Sequence, residues 1–257
     1  MQPLTVALIQ AATHWHDPGA NRRMFEPLIH ESASQADLIV LPEMFSTGFT
    51  MASAEVAEDM SGPTLSWLKA TSKNVGSYLC GSVVIRDEGD YFNRFVWVSP
   101  GGEVGQYDKR HLFRMAGEHE HYALGEPKSV FKIGDWRVCA MVCYDLRFPV
   151  WFRNEGDYDA IVAVANWPAA RRDAWLTLLK ARAIENQVYA AGVNIVGVDG
   201  NDVAYAGGSA VYGPDGEVVV ERLDTAGIEF ATFDAERLSA RRDEFPVWRD
   251  ADKFSIE

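Results

Sequence analysis

The stretch Asp159-Ala160-Ile161-Val162-Ala163-Val164-Ala165-Asn166 is apolar at every position between its two polar ends. A strand with one wet face alternates polar and apolar residues. A strand without alternation is covered on both faces, as in sheets flanked by helices. The next segment supplies such a cover. In Arg172–Gln187, residues Trp175, Leu178, Leu179, Arg182 and Asn186 share one face at helical spacing. Tyr189–Val198 then reads as another strand.

The pattern extends outward in both directions. Leu4–Gln10 reads as a strand, Asn21–Ala36 as a helix and Asp37–Leu41 as a second buried strand. Pro63–Lys73 reads as a helix with Pro63 in its first turn. Tyr78–Arg86 and Tyr91–Pro100 alternate with period two around Asp87-Glu88-Gly89-Asp90, a hairpin that Glu103–Lys109 continues. Trp136–Cys143 reads as a strand and Phe148–Glu155 as a short helix. Ser209–Gly213 and Glu217–Arg222 flank the turn Gly213-Pro214-Asp215-Gly216. Gly227–Phe233 is a last strand and Ala235–Glu244 a last helix. No linker, repeat or low-complexity segment interrupts the series. The expectation is one α/β domain over residues 1–257 with both parallel units and antiparallel hairpins. Its aromatic, charged tail, 245–257, is expected to pack on the domain or on a partner subunit.

Composition narrows the partners. The formal net charge is −13, and no basic run exists to neutralise phosphates, which argues against nucleic acid. An anionic substrate would need a local positive patch. No window approaches 18 apolar residues, so no membrane span is expected. The start, Met1–Gln10, has no basic flank and too short an apolar run for a signal peptide. The three cysteines, Cys80, Cys139 and Cys143, are sparse and odd in number. That suits a reducing compartment, with the cytoplasm as the expected location.

Three places carry candidate chemistry. In Val138-Cys139-Ala140-Met141-Val142-Cys143-Tyr144-Asp145-Leu146-Arg147-Phe148-Pro149 an apolar run stops at a cysteine and a charged, aromatic turn follows. Hydrolytic α/β sites place nucleophiles at such strand-to-turn corners, although a free cysteine is more often inert packing. Leu41-Pro42-Glu43 ends a buried strand with a carboxylate at the sheet edge where α/β sites form. Tyr107-Asp108-Lys109-Arg110-His111 offers Lys109 as an ammonium for an oxyanion, or as one of a surface pair. His119 and His121 suggest metal, but no HExxH or CxxC spacing accompanies them, and no metal or other cofactor is expected.

Taken in order, a strand-ending Glu43, Lys109 in a K-x-H-L-F context and Cys143 in C-Y-D-L-R-F resemble the nitrilase superfamily of carbon–nitrogen hydrolases. The resemblance runs from Leu4 to about Leu238. It includes Asn166-Trp167-Pro168, Arg182–Gln187 and Gly207-Gly208-Ser209 with Pro214-Asp215-Gly216-Glu217. The family's second glutamate precedes a Tyr/Phe-x-x-Gly element, here Tyr122–Gly125, and so falls on Glu118, with Glu120 its rival. The resemblance implies a four-layer α-β-β-α sandwich, commonly a homodimer. Within the superfamily the run Val142–Pro149 with Ala165–Pro168 is most similar to the ω-amidase branch, which hydrolyses the terminal amide of 2-oxoglutaramate and 2-oxosuccinamate.

The implied chemistry is amide hydrolysis through a cysteine thioester on a small-molecule substrate. Cys143 would be the nucleophile, Glu43 the base and Lys109 the oxyanion partner. Glu118 would orient Lys109 and hold the substrate NH₂. Tyr144 would add a backbone N–H to the oxyanion. Arg147 would pair a substrate carboxylate, unless it is tied to Asp145, and Trp167 would wall the pocket or pack in the core. Nitrile or N-carbamoyl hydrolysis would use the same set, and a thiol redox sensor would use only Cys143. A papain-like enzyme needs a histidine base, and no histidine follows Cys143.

Overall fold

Hydrogen bonding joins the strands into two six-stranded sheets and one small hairpin. The computed structural model describes residues 1–256. The first half holds β1 (Leu4–Gln10), α1 (Pro18–Ser32), β2 (Leu38–Val40), α2 (Ser53–Val56), α3 (Pro63–Val75), β3 (Tyr78–Asp87), β4 (Asp90–Val98), β5 (Val104–Asp108) and α4 (Glu118–His121). The second half holds β6 (Val130–Ile133), β7 (Trp136–Val142), β8 (Ala160–Val164), α5 (Arg172–Asn186), β9 (Tyr189–Val193), β10 (Val196–Val198), β11 (Ala204–Ala206), β12 (Ser209–Tyr212), β13 (Val218–Arg222), β14 (Gly227–Phe233) and α6 (Ala235–Glu244).

The first sheet runs β14-β1-β2-β3-β4-β5 and the second β13-β12-β9-β8-β7-β6. Each has three parallel strands at its centre and antiparallel strands outside them. Strand alternation sorts the side chains into layers. Leu4, Val6, Leu8, Leu38 and Val40 share a core with Val138, Ala140, Val162 and Val164 of the second sheet. Ala7, Ile9, Ile39 and Leu41 point the other way, to Phe25 and Ile29 of α1 and Leu65 and Leu68 of α3. On the far side Trp175 and Leu179 of α5 press on β9. A Cβ at Gly192 would lie 2.5 Å from Leu179, so only glycine admits the helix there. The layers are therefore helix, sheet, sheet, helix: a four-layer α-β-β-α sandwich.

Three local expectations are corrected. Helix α1 starts at Pro18 rather than Asn21, because the Asp17 side chain accepts the Ala20 N–H as an N-cap. Phe148–Glu155 is not helical. Pro149 lacks an N–H, and the Asn154 side-chain Oδ1 accepts the N–H groups of Gly156 and Asp157 in a turn. Tyr189–Val198 is two strands, broken at Asn194, whose amide side chain accepts from Trp167 N and donates to Trp167 O and Gly207 O. Strands β6 and β11 and the short α2 and α4 add to what the sequence predicts.

The tail turns back beside Pro149, Val150 and Arg153, and Phe245 O accepts from Gln187 Nε2 at 2.7 Å. Phe245, Trp248, Phe254 and Ile256 remain substantially exposed. The expectation for the tail also covers Glu257, which lies outside the described residues.

Candidate active site

Four strand ends deliver the predicted residues to one edge of the sandwich. Glu43 follows β2, Lys109 follows β5, Cys143 follows β7, and Asn166 lies just beyond β8. β2, β7 and β8 belong to the parallel centres, whose carboxyl ends are where α/β sites form. Two of these ends carry a left-handed residue, Met44 at φ +42° and Cys143 itself at φ +48°. A non-glycine residue there costs on the order of 1–3 kcal/mol and needs surrounding structure to hold it.

The corner at Cys143 is held by Asp145, which is fully buried in the single 3₁₀ turn Cys143–Arg147. One carboxylate oxygen accepts from Val142 N at 3.1 Å and Tyr107 OH at 2.9 Å. The other accepts from His111 N at 3.0 Å and His111 Nδ1 at 2.8 Å. Tyr107 and His111 bracket Lys109, so Asp145 also ties the lysine loop to the cysteine turn.

Lys109 and both glutamates are buried. Lys109 Nζ donates to Glu43 Oε1 at 3.1 Å and to both oxygens of Glu118 at 2.9 Å. Burial would lower the lysine pKa, but the charges of Glu118 and Glu43 overcome it and raise it, so the ammonium persists. Glu118 begins the one-turn helix α4 and accepts from Phe113 N. Burial raises its pKa, Lys109 opposes, and the Glu43 charge adds to the rise. Glu120 is excluded from this cluster: its side chain is 69% exposed, beside His119.

Burial also pushes the Cys143 thiol up, the Glu43 charge adds to this, and Lys109 opposes it. The thiol sits 4.0 Å from Asn166 O. Asn166 in turn fixes Glu43: its N–H donates to Glu43 Oε2 at 2.7 Å, and its side-chain amide donates to Glu43 O at 2.6 Å. Asn93 of β4 holds the other side, donating to Glu43 Oε1 at 2.7 Å. Its carbonyl accepts from Ser82 Oγ, which accepts from Met44 N, both at 2.8 Å. Asn93, Ser82 and Asp145 are absent from the sequence-derived site. The sequence around them gives no signal that separates them from other polar residues: Asn93 stands beside the equally buried Arg94 in Tyr91–Val98, and Asp145 lies in a charged turn.

Cys143, Lys109, Tyr144, Arg147, Asn166 and Trp167 open on one cavity of about 970 Å³. Trp167 lines the cavity and also packs in the core. It packs on Trp175 at 5.6 Å, and its cavity face carries the Arg147 guanidinium 4.8 Å from the ring centre. Arg147 does not pair with Asp145, whose oxygens are taken. The Tyr144 ring packs between Phe113 and Phe148. Among the described residues no group of three or more His, Cys, Asp or Glu side chains is arranged to hold a metal ion.

A buried thiol beside a carboxylate, an ammonium and an apolar cavity suits attack on a carbonyl carbon. Comparison with known proteins agrees. Residues 5–243 match the family model described as carbon-nitrogen hydrolase. The omega-amidase YafV of Yersinia enterocolitica is 46% identical, with all of both chains covered. The 2-oxoglutaramate amidase of Bacillus subtilis is 34% identical over 97% of this chain and 98% of its own. The crystal structure of XC1258 from Xanthomonas campestris, a CN-hydrolase superfamily protein with an arsenic adduct in the active site, superposes with a TM-score of 0.98. It is 43% identical, with both chains fully covered.

Proposed function

Because the chain belongs to the carbon–nitrogen hydrolase family, we propose that it releases ammonia from the terminal amide of a short carboxylate-bearing acid, with Cys143 as nucleophile. The preferred substrates are of the 2-oxoglutaramate and 2-oxosuccinamate type. It is a hydrolase that cleaves amide carbon–nitrogen bonds through a thiol. The observation carrying the substrate reading is Arg147: a guanidinium with no ion-pair partner among the described residues, seated on Trp167, in the cavity that also holds Cys143.

The steps follow from the charges. Glu43 takes the thiol proton as Cys143 Sγ attacks the amide carbon. The resulting oxyanion meets Lys109 Nζ and the Tyr144 N–H. The carbon–nitrogen bond breaks as Glu43 returns the proton to the leaving nitrogen, and ammonia departs. A thioester remains. Glu43 then takes a proton from water, the hydroxide adds to the thioester carbon, and the acid leaves as the thiol is restored. Glu118 keeps Lys109 charged and in place, and accepts a hydrogen bond from the substrate NH₂. Arg147 grips the distal carboxylate through two parallel hydrogen bonds.

The reading extends to a homodimer in a reducing cytoplasm. Three free, buried cysteines suit that compartment, and the exposed Phe245, Trp248, Phe254 and Ile256 suit self-association. No helix among the described residues is long and apolar enough to cross a membrane. An ammonia-release screen tests the substrate. It should compare 2-oxoglutaramate, 2-oxosuccinamate, glutamine, asparagine, an N-carbamoyl acid and a short nitrile, with a folded Cys143→Ala variant as control. The 2-oxo acid amides should lead and the variant should be silent. A preference for the nitrile or the carbamoyl compound would overturn the substrate, and an active Cys143→Ala protein would overturn the nucleophile.

A further inference from the structure

The cavity around Cys143 holds a second guanidinium, Arg171, in the turn before α5. Its Cζ lies 5.4 Å from the centre of the Phe113 ring. Its backbone carbonyl accepts from Trp167 Nε1 at 2.8 Å, so the pillar that carries Arg147 also fixes the main chain of Arg171. Neither guanidinium joins an ion pair or donates a hydrogen bond among the described residues, yet both face the reacting thiol's cavity. A lone carboxylate is satisfied by one fork of two N–H groups. The second cation is surplus to that task.

We propose that Arg171 reads the 2-oxo group, and so separates 2-oxo acid amides from the corresponding 2-amino acid amides. This rests on the acid-amide reading above. In a 2-oxo acid the carboxylate and the neighbouring carbonyl are adjacent acceptors, and two cations beside one carboxylate site suit them. In the 2-amino acid the same position carries an ammonium, which a guanidinium repels and to which it offers no acceptor. The other charged group of the outer cavity, Asp199, keeps its negative charge but is turned into its own loop. Its oxygens are occupied by Asn201 N, Val203 N and Tyr205 OH at 2.8–3.0 Å. Glu43 and Glu118 do not line the cavity wall; they hold Lys109, Asn93 and Asn166 and serve the amide end of the substrate, not its 2-position.

The test compares 2-oxoglutaramate, glutaramate (the same chain without the 2-oxo group), glutamine and an uncharged short amide, in wild type, Arg171→Met and Arg171→Lys. Arg171→Met should lower kcat/KM on 2-oxoglutaramate by roughly 10- to 100-fold, the worth of a charge-assisted hydrogen bond. Glutaramate and the uncharged amide should change less than about threefold, and the discrimination against glutamine should shrink. Arg171→Lys should recover part of the 2-oxoglutaramate rate. Equal losses on 2-oxoglutaramate and glutaramate would overturn the proposal, because Arg171 would then serve the carboxylate or the loop. A wild type that hydrolyses 2-oxoglutaramate no faster than the uncharged amide would instead remove the acid-amide reading and this proposal with it.

Discussion

The ionisable groups around Cys143 do not cancel. Glu43 and Glu118 face a single ammonium, and a thiolate would add one more negative charge in a nearly closed site. Burial and Glu43 both hold the thiol protonated, against Lys109. In the proposed mechanism the proton accordingly leaves to Glu43 as the carbon–sulfur bond forms, not beforehand. This makes two variants move in opposite directions. Glu43→Gln removes a negative charge, so the pH at which a small alkylating reagent modifies Cys143 should fall. Ammonia release should still drop by roughly 10²–10⁴, the usual worth of a general base. Lys109→Gln should raise that alkylation pH and cost about 10²–10³ in turnover, as for a lost oxyanion donor. Alkylation profiles shifting the same way in both variants would show that these two charges do not govern the thiol. Glu43 and Cys143 stand out in the sequence because each ends an apolar strand, whereas Lys109 and Glu118 are reached only through the family resemblance, by the K-x-H-L-F context and the Tyr122–Gly125 element. Asn93 and Asp145 were not legible, since what matters about them is which distant atoms they meet. Asn93 reaches Glu43, fifty positions away, and Asp145 reaches Tyr107 and His111.

At the scale of elements, most strands and the turns at 87–90 and 213–216 were legible from periodicity and turn residues, whereas the short strands β6 and β11 and the segment after Cys143 were not. Phe148–Glu155 has an apolar spacing that suits a helix, but Pro149 and the Asn154 turn override it. The pairing of β14 with β1, residues 227–233 against 4–10, leaves no local trace at all. Helix α6 shows how such distant elements are fastened. Asp159, only 3% exposed, accepts from Arg137 of β7 and from Arg242 of α6, each at 2.8 Å. Burial opposes its ionisation, but the bonds and charges of the two arginines win and hold its pKa below the usual range. A carboxyl depressed in the folded state contributes stability that is fully present above the unfolded value of about 3.9 and is lost as pH falls through the lower folded value. Asp159→Asn should therefore lower the melting temperature at pH 7 and flatten its dependence on pH in the acid range. Melting curves of both proteins between about pH 2.5 and 7 measure this. A variant whose stability falls as steeply as wild type in acid would assign the acid sensitivity to other groups.

At the scale of the whole molecule, a formal charge of −13 surrounds a cavity lined by two guanidiniums, Arg147 and Arg171, that join no ion pair among the described residues. The two fields act over different ranges. The surface charge is spread out and is felt at low salt, where the screening length is about 30 Å at 0.01 M. It is largely screened at 0.15 M, where that length is about 8 Å. Arg147 lies against Trp167 inside the cavity, and in the proposed complex it meets the substrate carboxylate at contact distance, where salt screens far less. Raising the ionic strength should thus remove more repulsion than attraction. The kcat/KM for 2-oxoglutaramate should rise severalfold over that interval, while that for an uncharged short amide stays level. Arg147→Met keeps the outer repulsion and deletes the inner grip. It should lower kcat/KM on 2-oxoglutaramate by about thirtyfold, corresponding to about 2 kcal/mol for a charge-assisted bond, and leave the uncharged amide nearly unchanged. The same rise with salt should survive in Arg147→Met, because it comes from the surface. If salt instead lowers the wild-type rate on the acid and Arg147→Met abolishes that dependence, the cavity cation sets the long-range field, and the division of labour between surface and cavity is wrong.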